Sequence, residues 1–185
     1  MDDNNIIDLF WERSEIAIKE IETKYGNLCK HVAMNILRSD EDAQECVNDT
    51  YLGAWNAIPP YRPKVLSAFL CRITRNLALK KYEYNRAKKR DVKMQLPIEE
   101  LENCLLSASN IEEDYDAQYL AELIDDFLYT LTYEKRNVFI RRYWFFDSIV
   151  DISNRFQMSE SKTKSMLFRT RNELAKYIRK EGYPI

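Results

Sequence analysis

The sequence predicts an all-α protein: two small helical domains joined by an acidic linker, the second a helix-turn-helix. Three observations carry that prediction. The 185 residues include only three glycines, too few for a loop-rich or sandwich fold, while good helix formers dominate. Hydrophobic residues make up 45% of the chain and recur at spacings of three and four, the helical rhythm. Charge is blocked: residues 61–93 carry eleven Lys/Arg against two acids, 97–126 ten acids and no Lys or Arg, and 148–182 eight basic residues against four acids. The formal net charge of −2 therefore averages over two basic blocks, each suited to nucleic acid. These shifts divide the chain into a first domain over 1–93, a linker over 94–116 and a second domain over 117–185.

Residues 5–38 read as helical, with Ile18, Ile21, Tyr25, Leu28, Val32 and Ile36 on one face and Gly26 marking a bend or junction. Ser39 is suited to cap the next helix, and Asp40, Glu41 and Asp42 complement its dipole. That helix runs to about Ile58, burying Ala43, Val47, Tyr51, Ala54 and Trp55. Its other side is an acidic and amide stripe of Asp42, Glu45, Asn48, Asp49 and Asn56, expected to be exposed. Pro59, Pro60 and Pro63 stop it. Ser67 is the expected cap of a basic helix with Phe69, Leu70, Ile73, Leu77 and Tyr84 as core positions. Tyr61, Arg62 and Lys64 in the loop, beside Arg72, Arg75 and Lys80 on that helix, suit a single strand whose bases stack on rings and whose phosphates meet cations.

Residues 94–116 lose both helical periodicity and basic side chains. The second domain opens near Asp116 with Leu120, Leu123, Ile124, Phe127 and Leu128 on one face, and Thr132 caps a helix bearing Val138, Phe139, Ile140 and Tyr143. Ile149, Ile152 and Phe156 then mark a short helix, Gln157-Met158-Ser159 a corner without the usual glycine, and Ser159 or Ser161 the cap of a long basic helix. Thr163, Leu167, Leu174 and Ile178 face inward. Ser161, Lys164, Ser165, Phe168, Arg169 and Asn172 share the other side, with Lys162 nearer the flank. A short helix, a corner and a basic helix form a helix-turn-helix, whose second member lies in a major groove. Lys162, Lys164, Ser165, Arg169 and Arg171 supply donors for base edges and phosphates, and Phe168 an apolar contact for a thymine methyl.

Cys29, Cys46, Cys71 and Cys104 form no C-x-x-C pair, and His31 is the only histidine. They read as reduced thiols, so neither a metal nor a cofactor is expected. Without metal-ligand spacing or a phosphate-binding glycine loop, a nucleic-acid-processing enzyme is poorly supported. No secretory h-region and no apolar run of membrane-spanning length occurs, so a cytoplasmic protein without membrane insertion is expected.

Four segments in order, DEDAQECVNDTYLGAWNAI, SAFLCRITRNLALKKY, LTYEKRNVFIRRYW and IVDISNRFQMSESKTKSMLFRTRNEL, resemble the small two-domain extracytoplasmic-function (ECF) sigma factors of bacterial RNA polymerase. The resemblance covers about residues 15–182. It implies a non-enzymatic factor that binds core RNA polymerase, recognises −35 and −10 promoter elements and promotes DNA melting. The stripe Asp42, Glu45, Asn48 and Asp49 would then dock on the polymerase. Tyr61, Arg62 and Lys64, with Arg72, Arg75 and Lys80, would melt the −10 element and hold a flipped base. Ser161, Lys162, Lys164, Ser165, Phe168, Arg169 and Arg171 would read the −35 duplex, and the acidic linker would occupy channels that otherwise hold nucleic acid. The resemblance also makes a dedicated anti-sigma factor plausible. Phe69 stands where the family commonly has tryptophan and Lys80 where it has aspartate, and a proline usual near Thr132 is absent. Asn76 matches a family asparagine, expected as a buried hydrogen-bonding group. A helix-turn-helix repressor or activator acting without polymerase is the rival reading. It leaves the acidic stripe and the basic block over 61–93 without a role.

Overall fold

The computed structural model describes residues 1–89, 96–105 and 114–182. Residues 90–95 and 106–113, which include ten positions of the expected 94–116 linker, lie outside that description, as does the side chain of Cys104. Among the described residues there are nine α-helices and no strand. The chain divides into two compact units, Met1–Lys93 and Met94–Ile185.

In the first unit α1 (Asp3–Trp11) is followed by α2 (Ile16–Leu37), α3 (Asp40–Ala57) and α4 (Leu66–Lys89). The last three pack on one another and α1 closes one side of α2. Ile6, Ile7 and Phe10 join Ile21, Val47, Ala54, Ile58, Leu66 and Leu70 in the core. The N-terminal helical stretch breaks after Trp11, where Arg13 has φ +55°, and not at Gly26, which lies inside α2. Gly26 serves packing instead, since a Cβ there would lie 2.9 Å from the Tyr51 hydroxyl oxygen. Arg13 secures the break by donating to the Trp55 carbonyl at 2.6 Å, its guanidinium 5.3 Å from the indole centroid.

Ser39 caps α3, its oxygen accepting from the Asp42 N–H at 3.3 Å. The expected Ser67 cap is displaced: α4 already starts at Leu66, with the Phe69 N–H bonded to the Val65 carbonyl. Full burial of Leu66 draws that residue into the helix. Thr50 of α3 and Thr74 of α4 meet at 2.9 Å in the interior, and their hydroxyls also reach the carbonyls of Cys46 and Leu70. Two positions expected inside lie outside. Tyr84 is 59% exposed because the core takes only the first half of α4, and Asn76 is exposed on the opposite side from Thr74.

The second unit holds α5 (Pro97–Leu105), α6 (Asp114–Thr130), α7 (Tyr133–Tyr143), α8 (Ile149–Phe156) and α9 (Glu160–Lys180). The other four all pack against α9. Its buried Leu167, Leu174 and Ile178 meet Leu123, Phe127, Val138, Phe139 and Ile152. Helix α5 corrects the expectation of a stretch without helical periodicity. Among its described side chains Ile98 and Leu101 reach the core, three residues apart. Glu100 accepts from Arg142 and, at 3.1–3.2 Å, from Arg171 and Tyr143. Tertiary partners stabilise a helix of nine residues, too short to be stable in isolation.

Side-chain caps open α7, α8 and α9: Thr132, Ser148 and Ser159 accept from the N–H groups of Lys135, Asp151 and Lys162. Ser159, not Ser161, is thus the α9 cap. At the corner Gln157 adopts the left-handed conformation (φ +52°, ψ +44°), and the Met158 N–H returns to the Ser153 carbonyl at 2.9 Å. Across the corner Ser153 and Thr163 share a buried hydroxyl contact of 2.8 Å, the counterpart of Thr50–Thr74.

Two outcomes are expected. A left-handed residue with a Cβ costs about 1–2 kcal/mol, partly offset by the greater unfolded-state freedom of glycine. Gln157→Gly should therefore raise the stability of the second unit by about 0.5–1 kcal/mol, read from the urea midpoint; a lower midpoint would show that the glutamine side chain stabilises the corner. Desolvation pushes the Tyr143 hydroxyl up to about 12, opposed by Arg171. The fold thus favours neutral tyrosine, a contribution complete below about pH 10 and lost as pH rises through the folded value. Tyr143→Phe should be less stable at pH 7, yet lose stability less steeply between about pH 10 and 12. Parallel stability–pH curves for the two proteins would refute that role.

Candidate nucleic-acid interface

Inward burial of Thr163, Leu167, Thr170, Leu174 and Ile178 fixes the rotation of α9 and decides what it presents to solvent. Ser161, Lys162, Lys164, Ser165, Phe168, Arg169 and Asn172 are all exposed, as the spacing predicts. Phe168 is 58% exposed, a large apolar ring amid polar neighbours. Lys164 lies 3.5 Å from Glu160 and Lys162 3.8 Å from Glu134, loose pairs at the surface that phosphate can replace.

Arg171 does not share this face. Its Nη1 donates to Glu100 Oε2 at 3.1 Å and to the Tyr143 hydroxyl at 2.5 Å. Tyr143 itself donates to Glu100 at 3.2 Å, and Arg142 binds the other carboxylate oxygen. Four polar groups from α5, α7 and α9 thus close a half-buried network. The guanidinium lies 6.0 Å from the Phe168 ring centroid. Spacing already sets Arg171 apart from Arg169, four residues after Leu167 and three before Leu174, but not its partner, because the carboxylate that draws it inward stands 71 residues away in the chain.

In the first unit the loop before α4 and the start of that helix assemble a stacked edge. The rings of Tyr61 and Phe69 lie 5.3 Å apart and the Arg72 guanidinium stands 5.6 Å from the Phe69 ring centre. Phe69 is buried, whereas Tyr61 is 49% exposed, so one ring supports the other and leaves a face to solvent. Arg62 pairs with Asp8 of α1 at 2.8 Å and Lys64 is exposed. Arg75 is half-buried; desolvation, then the charge of Arg72, lower its affinity for its proton. Such an edge offers a stacking surface flanked by cations, which suits an unpaired base and its phosphates.

Lys80 lies elsewhere. With Lys81, Leu77, Tyr84 and Asn85 it lines an open groove of about 490 Å³ against Asp42, Glu45 and Asp49. The acidic stripe is therefore not wholly free. Lys81 binds Asp42 at 3.1 Å and also Glu45, and Asn85 donates to Asp42 at 3.1 Å. The hydrogen bond to Glu45 first, then that to Asp42, raises the Lys81 ammonium above its usual range against desolvation. Half-buried Asp42 thus joins α3 to α4, correcting its expected exposure; Glu45, Asn48 and Asp49 are exposed. Lys81 was legible as a cation but not as the partner of this stripe, since the pairing needs the crossing of α3 and α4.

Cys29, Cys46 and Cys71 are buried free thiols, raised above their usual range by desolvation in the cases of Cys29 and Cys46. No cluster of metal-ligating side chains occurs among the described residues, nor a helix long and apolar enough to cross a membrane.

Comparison with known proteins bears on these surfaces. Residues 23–88 match the family model described as Sigma-70 region 2, a span covering most of α2, all of α3 and nearly all of α4. No curated protein matches. Among solved structures, CnrH in complex with the cytosolic domain of CnrY is 17% identical, covering 96% of this chain and 97% of that one with a TM-score of 0.45. Residues 23–88, the greater part of the first unit, are thus similar to sigma-70 region 2.

Proposed function

We propose that the chain is an ECF-type sigma factor: it binds core RNA polymerase, recognises a bipartite promoter and opens the DNA, with no catalysis of its own. One observation carries the reading. The region 2 match includes the loop and helix that build the Tyr61–Phe69–Arg72 edge, and the same chain holds a helix-turn-helix with an exposed polar face. A repressor or activator working without polymerase needs only the second of these.

The division of labour follows from what each surface offers. Tyr61 would receive an unpaired base of the −10 element while Arg62, Lys64, Arg72 and Arg75 balance phosphates. Lys164, Ser165, Phe168 and Arg169 would meet −35 base edges, with Lys162 on phosphate. Glu45, Asn48 and Asp49 would face the polymerase, Asp42 contributing through its hold on Lys81. The protein would act in the cytoplasm, and an anti-sigma factor would act by covering the same surfaces.

Run-off transcription with core polymerase tests the reading, and two variants locate it. Stacking of one base on an aromatic side chain is worth about 1–3 kcal/mol. Tyr61→Ala should therefore reduce initiation on duplex promoters roughly tenfold, and much less on templates carrying a pre-melted bubble. Equal losses on both would place the loop outside strand opening. Asp49→Lys is the cleaner probe of docking, because Glu45→Lys would also confront Lys81. It should leave melting unchanged and raise the dissociation constant for core polymerase at least tenfold, since facing like charges cost several kcal/mol. An unchanged titration would remove this face from the interface.

A further inference from the structure

The network around Glu100 has a consequence for the polar face of α9. Arg171 is one turn from Phe168 and would carry a further cation to the DNA side if its side chain were released. It is held back by the Glu100 carboxylate and the Tyr143 hydroxyl, and its side chain retains only 18% exposure. Glu100 is committed to the same task from its own side: Arg142 takes Oε1, and Tyr143 and Arg171 take Oε2. Leu101, the next residue, is buried in the core beneath α9, so backbone and carboxylate are both fixed. On the other flank the guanidinium backs the Phe168 ring at 6.0 Å, restricting the directions in which that exposed side chain can lean.

We propose that Glu100 is a positioning residue for duplex recognition by α9: it withdraws Arg171 from the DNA and uses it to brace Phe168. This rests on the reading of α9 as the −35-binding helix. The design favours discrimination over affinity. A cation on the face would strengthen attachment to every sequence through counterion release, whereas a braced apolar ring discriminates between base pairs by the presence of a thymine methyl. Withdrawing the one and fixing the other raises the ratio of specific to non-specific binding, the quantity that decides occupancy among many competing sites.

The test measures binding of the full chain, with core polymerase present, to duplexes randomised at the −35 position, across a salt series. In Glu100→Gln the released Arg171 should increase binding to non-cognate duplexes and steepen the log–log salt dependence by about one unit. Preference at the base step facing Phe168 should fall. Glu100→Gln combined with Arg171→Met should return the slope to the parental value while leaving that preference low. Arg171→Met alone, which does not depend on how Glu100→Gln folds, should keep the parental slope; a slope shallower by about one unit would mean that Arg171 contacts phosphate and would overturn the proposal. A merely structural role for Glu100 would weaken binding to all duplexes without steepening the slope, and that outcome also overturns it. If the parental protein shows no −35 preference, the assignment of α9 falls, and this inference with it. If the parental protein discriminates and Glu100→Gln matches it in slope and preference, only the positioning role of Glu100 falls.

Discussion

Everything in the second unit depends on burying one stripe of α9. Leu167, Leu174 and Ile178 are each at most 2% exposed, and α5, α6, α7 and α8 all contribute to their cover. At roughly 1.5–3 kcal/mol for each fully buried large aliphatic side chain, those three outweigh any single polar contact on the helix. They fix which way the helix is turned. Rotation by one residue, about 100°, would drive Lys164 or Phe168 into the core. The polar face is thus a consequence of the apolar one.

Charge in the first unit is divided between structure and surface in a comparable way. Asp42 and Lys81 fasten α3 to α4 at 3.1 Å, and Glu45 shares the same ammonium. Acids that composition would assign wholly to solvent are thus partly committed to holding two helices together. The aromatic edge has a similar economy. Phe69 is buried and anchors Tyr61, while Arg72 is applied to the buried ring. The exposed tyrosine is therefore presented on a firm backing, although a proline-rich loop carries it.

Much of this was legible in the sequence where the information is local. Ser39, Thr132 and Ser159 precede runs of helical period and are caps. The inward set Thr163, Leu167, Leu174 and Ile178 followed from spacing alone, as did the exposure of Lys164, Ser165, Phe168 and Arg169. The failures lie where a distant partner decides. Helix α5 brings Ile98 and Leu101 to the core together with a carboxylate whose cations arrive from α7 and α9. Spacing turns Arg171 toward the inward side, yet the carboxylate that receives it stands 71 residues away. Gly26 appears to interrupt a helix until Tyr51 is seen against it, and the true break at Arg13 carries no glycine or proline. Tyr84 keeps the helical rhythm after the core beneath it has ended. Periodicity reports the face of a helix, not the length over which that face is covered.

The separation of faces on α9 also bears on how freely the protein can change. Surface positions away from caps and buried networks usually tolerate substitution within about 0.5 kcal/mol. Ser161, Lys164, Ser165 and Arg169 are such positions, exposed on the side of the helix away from the core. Heritable variation at these four sites can accumulate with little thermodynamic penalty, and duplicated copies of the gene could diverge there while the scaffold behind them stays the same.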